Sequence, residues 1–175
     1  MEEVIRQPDK AERFVQTIIR HCATNTGFAA RLRRADNPDT EYHSWELLVK
    51  LGINLDKDWE RLPCALIAAA VARAQLSSDG SAGLGRALRS CFSEDEQGSL
   101  RLRRLLACER LDELCRVLRP MLRLIESKHT QPLCYGRLLG ELMSFAYRAQ
   151  RVKLGWAQDF YLQKQEGLAC EEQEG

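Results

Sequence analysis

The side chains best suited to chemistry in this chain are arginines, and they come in clusters. Arg33 and Arg34 follow Leu32, Arg101, Arg103 and Arg104 flank Leu102, and Arg116, Arg119 and Arg123 recur at helical intervals. Arg86 follows Gly83-Leu84-Gly85, Arg110 follows Cys108-Glu109, and Arg148 and Arg151 precede an apolar stripe near the C-terminus. A guanidinium is a planar fork of donors that fits a phosphate or a carboxylate. Such clusters therefore suit either a sugar-phosphate backbone or a set of salt bridges. Asp112, four residues before Arg116, makes helix salt bridging a competing use of part of this charge.

The other reactive residue types do not assemble. His21, His43 and His129 lie in unrelated segments, with no partner at metal or triad spacing. Seven cysteines show no CxxC and no Cys/His pattern that would close around zinc. Most of them fall on apolar helical faces and read as reduced, small core residues. The carboxylates gather in solvated runs such as Glu94-Asp95-Glu96 and Glu171-Glu172. Gly83-x-Gly85 has no strand before it, no third glycine and no Gly-Lys-Ser/Thr, which excludes a dinucleotide or P-loop site. Two uses of that block stand side by side: backbone N–H groups and Arg86 offered to a nucleic-acid phosphate, or glycines that let backbones approach closely. No catalytic residue, cofactor or metal is expected, and the chain does not read as an enzyme.

Charge is segregated along the 175 residues, although the formal net charge is only +1. Residues 101–164 hold 13 Lys and Arg against 6 Asp and Glu, while residues 165–175 carry four Glu and no base. A near-neutral total argues against tight solitary binding of nucleic acid and for contacts made beside a protein partner. Met1-Glu2-Glu3-Val4 lacks the order of a signal peptide, and no apolar run reaches the roughly 18 to 20 residues of a membrane span. The expectation is a cytoplasmic protein with no membrane partner.

The elements that must position these arginines all read as helices. Apolar residues recur with helical period and nowhere with period two, so the expected fold is all-α, a bundle of roughly eight to nine helices. Pro8 and Asp9 open the first, with Phe14, Val15, Ile18, Ile19 and Cys22 in one stripe. A short helix spans Phe28 to Arg34 and is broken by Asn37-Pro38-Asp39. Tyr42, Trp45, Leu48 and Val49 are expected to form a buried face. An apolar helix beginning near Pro63, with Leu66, Ile67, Ala70, Val71 and Ala74, is the candidate central element. Ser93 and Glu96 suggest a capping box. From Leu111, a leucine stripe faces one way and Arg116, Arg119 and Arg123 the other, with Pro120 expected to kink or divide the helix. Pro132 opens another helix, and a separate last one sets Val152, Trp156 and Phe160 on one side. The expected organisation is one domain over 1–165, divisible into halves 1–76 and 84–165 joined by a loop at 77–83, and an acidic disordered tail at 166–175.

Several blocks, taken together, resemble the CasB family. These are Leu32-Arg33-Arg34-Ala35, Gly83-Leu84-Gly85-Arg86-Ala87-Leu88, Leu105-Leu106-Ala107-Cys108-Glu109-Arg110, Leu118-Arg119-Pro120-Met121-Leu122 and Trp156-Ala157-Gln158-Asp159-Phe160. Its members are the small subunit of the type I-E CRISPR surveillance complex, Cascade. The resemblance implies a non-catalytic helical subunit that meets other Cascade subunits and a second copy of itself. It also implies a basic surface that steadies guide CRISPR RNA, target DNA and the displaced non-target strand of the R-loop without reading sequence. Carried over by position, the contributors are Arg33, Arg34, Arg86, Arg110, Arg148 and Arg151, to which helical geometry adds Arg116, Arg119 and Arg123. The alternative is a structural helical adaptor that touches no nucleic acid. The acidic runs at Glu94 to Glu96 and at the C-terminus interrupt a continuous basic surface.

Overall fold

Asp9 and Glu12 show how directly the chain sets its own helix boundaries. The computed structural model describes residues 9–128 and 131–171, with the side chains of residue 95 and of residues 163–171 outside the described set. The Asp9 carboxylate accepts the Glu12 N–H at 2.9 Å and the Glu12 carboxylate accepts the Asp9 N–H at 3.2 Å. This reciprocal box satisfies two donors at the start of α1 (Lys10–Thr24). Asn25 then ends α1 and caps α2 (Thr26–Leu32) by accepting the Phe28 N–H at 2.9 Å.

A 3-10 turn (Glu41–Ser44) leads into α3 (Trp45–Lys50). Here the expected buried face is corrected: Leu48 is buried, but Tyr42, Trp45 and Val49 are 57%, 40% and 54% exposed. α3 has six residues, and its core-facing side is filled by Leu47 and Leu48. The central element is α4 (Asp58–Ala74), which starts before Pro63 and is buried without interruption from Pro63 to Ala72. A helix apolar all round belongs inside a bundle, and α4 packs against α1, α2, α7 and α8.

The chain then forms α5 (Leu84–Arg89), α6 (Asp95–Leu106), α7 (Leu111–Lys128) and α8 (Tyr135–Glu171). Glu94, not Ser93, precedes α6 and makes no side-chain cap, so the expected capping box does not form. α7 runs through Pro120 as one helix, burying Leu114, Leu118, Met121, Leu122 and Ile125. The two helices expected after Pro132 are both present within α8, joined across a kink at the non-helical Arg148 (φ −131°, ψ 24°). It carries on through residues 166–171 of the expected tail, while 172–175 lie outside the described residues.

The segment 77–83 is tied to the start of α8. Asp79 accepts the N–H groups of Tyr135 at 2.8 Å and Gly136 at 2.9 Å, occupying the open donors of the first turn. Ala82 pairs with Leu133 in a single parallel bridge. One hydrophobic core runs from Ala11 to Phe160 through both halves, so the all-α bundle and its shared interface are as expected. Among the described residues there are eight α-helices and no sheet.

Candidate nucleic-acid interface

The arginine line on α7 meets a carboxylate that the sequence did not single out. Asp36, in the turn after α2, is 1% exposed at its side chain and lies 2.9 Å from Arg73 of α4, 3.7 Å from Arg119 and 3.9 Å from Arg123. Arg73 in turn bonds Glu126 of α7 at 3.1 Å. Burial pushes the Glu126 carboxyl up against the opposing pull of that hydrogen bond, and the net shift is upward. A buried carboxylate is retained only when paired, and three arginines from two helices, α4 and α7, supply the pairs. Arg73 holds Asp36 closely, whereas Arg119 and Arg123 stand at the outer limit of an ion pair.

One turn earlier on α7 the same pattern repeats at the surface. Arg110 grips Asp112 through two parallel bonds of 3.0 Å, and Arg116 approaches the same carboxylate at 3.8 Å. Partial burial pushes Asp112 up, but Arg110 and nearby backbone N–H groups outweigh it and the net shift is down. Arg116 and Arg119 share a cavity of about 220 Å³ with Asp36 and Asp112. Next to it, a groove of about 380 Å³ sets Arg110 beside Trp59, Phe145 and Ala146. Around Cys108, Lys153, Arg104 and Arg116 pull the thiol down against burial and Glu113, which prevail. These contacts link the end of α2, the face of α7 and the middle of α8 into one series.

On α8, Arg148 and Arg151 are exposed and have no acidic partner among the described residues. Arg148 lies 5.6 Å from the centre of the Tyr147 ring, a cation–π distance. Arg34 is likewise exposed and unpaired among the described residues, while Arg33 donates from Nε to the Ala72 carbonyl at 3.2 Å. Arg103 and Arg104 on α6 are exposed without an ion pair there too.

The glycine block is a packing device. A Cβ on Gly85 would meet the Trp156 carbonyl oxygen at 2.2 Å and the Phe160 nitrogen at 2.7 Å, and one on Gly83 would meet the Asp159 carboxylate at 2.1 Å. The first turn of α5 therefore already faces an anion, Asp159, whose Oδ2 accepts the Arg86 N–H at 3.5 Å. Of the two uses open from sequence, close approach is the one realised by the glycines. The Arg86 side chain itself remains exposed.

Residues 29–161 match the family CRISPR-associated protein Cse2. The chain belongs to the Cse2 family. Among solved structures, CasB from M. ruber superposes with a TM-score of 0.74 at 22% identity, covering 97% of this chain and 99% of the other. A Cse2-family protein from Thermus thermophilus gives 0.67 at 24% identity, covering 86% and 97%. CasB from Thermobifida fusca gives 0.62 at 22% identity, covering 88% and 99%. No curated protein matches the chain. Membership in Cse2 makes this a component of a CRISPR-associated complex with other subunits.

Within this Cse2 fold, the nine arginines singled out from sequence divide by partner. Arg110, Arg116, Arg119 and Arg123 face Asp112 or Asp36, Arg33 holds a carbonyl, and Arg34, Arg86, Arg148 and Arg151 reach solvent without a carboxylate among the described residues. Sequence reasoning missed two buried acids, Asp36 and Glu60. Glu60 is 4% exposed and pairs with Lys10. Asp36 sits in a polar turn and Glu60 near a helix start, so neither interrupts an apolar stripe. Arg103 and Arg104 were visible as a cluster but were not carried into the candidate set. Among the described residues no group of His, Cys, Asp and Glu could hold a metal, and no helix is long and apolar enough to cross a membrane.

Proposed function

We propose that this Cse2 protein is the non-catalytic small subunit of a type I-E Cascade complex, in the cytoplasm. In this role it steadies guide RNA, target DNA and the displaced strand of the R-loop through sequence-independent phosphate contacts. The observation that supports it is the fate of the acids in residues 101–164. Four of the six, Asp112, Glu126, Glu141 and Asp159, are engaged within the protein, with Arg110, Arg73, Arg137 and Trp156, and the start of α5 respectively, while Glu109 and Glu113 are exposed. The surface left outside keeps a basic excess, with Glu109 and Glu113 as its exposed acids. Arg103, Arg104, Arg148 and Arg151 stand on it unpaired among the described residues. R-loop formation is close to balanced in free energy, so a few such contacts are enough to shift it.

The second reading is a protein-protein adaptor without nucleic-acid contact, favoured by the exposed ridge of Tyr42, Trp45 and Val49. Purification of the tagged protein from its native host separates the two. Copurified guide RNA with ultraviolet crosslinks from this chain to the displaced strand supports the first. Copurified subunits with no crosslink from this chain to any strand support the adaptor.

A further inference from the structure

The outer face of α8 carries something the phosphate-contact reading does not use: exposed aromatic and apolar side chains interleaved with its free arginines. Tyr147 is 73% exposed, Leu154 59%, Tyr161 41% and Leu162 50%. At 100° per residue, Arg151, Leu154, Tyr161 and Leu162 fall on one side of the helix, opposite the buried Val152, Trp156 and Phe160. Tyr147, on the helical segment before the kink, is exposed as well, with the Arg148 guanidinium over its ring. An apolar surface meant for a protein partner would not be expected to shed its acids so fully. Asp159 is the sole acid between residues 142 and 162, and its carboxylate is turned against α5. Among the described residues the face is thus cationic, aromatic and without an outward carboxylate.

We propose that this face is a base-stacking platform for an unpaired strand, with Tyr147 and Tyr161 taking bases and Arg148 and Arg151 taking the flanking phosphates. The proposal rests on the nucleic-acid reading above and narrows it to single strands, whose bases are free to leave the stack. A duplex hides its base faces and would gain only the charge term. Phosphate contacts weaken steeply with salt, whereas stacking on tyrosine persists.

The test uses the full chain and two labelled 20-residue strands of equal charge, oligo(dT) and an abasic strand lacking every base, read by fluorescence anisotropy at rising salt. Oligo(dT) should bind at least about fivefold more tightly, roughly the worth of stacking one base, with the ratio holding as rising salt weakens the phosphate contacts of both strands alike. Tyr147→Ala should abolish most of the difference and Tyr147→Phe should keep it. Tyr147 is so exposed that neither change threatens the fold. Equal binding of the two strands, or tighter binding of a duplex, overturns the stacking platform and leaves the phosphate reading in place. Binding of neither strand overturns the platform as well, while the phosphate reading is decided separately by the salt dependence of the assembled complex.

Discussion

Gly85 stands where a Cβ would lie 2.2 Å from the carbonyl oxygen of Trp156, so α5 rests directly on the backbone of α8. Helix backbone cannot yield as a side chain tip can. Gly85→Ala should therefore destabilise the protein by about 1–3 kcal/mol or more, read as a fall in thermal midpoint of several degrees. Gly155→Ala is the control: nothing lies within 4 Å of its Cβ position, and removing a helical glycine should stabilise by about 0.5–1 kcal/mol. Equal effects at the two positions would contradict this packing.

Asp36→Ala should be the more damaging change. It strips Arg73 of a 2.9 Å partner in a setting where Arg73 is only 18% exposed. Arg73 keeps Glu126 at 3.1 Å, so the loss should approach but not exceed the roughly 3–5 kcal/mol of a fully orphaned buried charge, measurable by urea denaturation. Arg123→Ala, at 3.9 Å from the same carboxylate and half exposed, should cost less than about 1 kcal/mol.

Stability should decline in alkali. Burial pushes the Cys64 and Cys115 thiols from an ordinary 9.0 up to about 12. A raised folded-state value favours the protonated form in the native protein, so this contribution is intact below pH 9 and is lost as pH climbs toward 12. Each thiol adds at most about 1.4 kcal/mol per pH unit to the slope. Denaturation midpoints at pH 8 to 11 should fall less steeply in a Cys64→Ala/Cys115→Ala variant. An identical slope would show that these thiols ionise alike in both states.

Much of the fold was legible because its signal is periodic. The stripes of α1 and α7 and the apolar run of α4 appear in the structure where the spacing put them. Three features were not legible, each for a tertiary reason. Tyr42, Trp45 and Val49 repeat with helical period but face outward, because a six-residue helix offers the core only Leu47 and Leu48. Pro120 was expected to kink or divide α7, and the helix is not divided there, with Leu118, Met121 and Leu122 buried around the proline. The site was legible as residue types but not as partners: only the fold brings Asp36 beneath Arg119 and Arg123 from more than eighty positions away. Pairing, not clustering, separates arginines committed to the protein from those open to a phosphate.

That separation makes the salt dependence of target-DNA binding by the assembled complex the most direct measurement. Changing Arg148 and Arg151 together to Ala should make the slope of log affinity against log salt shallower by at least about 1, each lost single-strand phosphate contact counting for about 0.7. Arg110→Ala, which removes a guanidinium already gripped by Asp112, should change it less. A slope unaltered in the Arg148/Arg151 variant, with complex assembly intact, would contradict a phosphate-binding role for this surface.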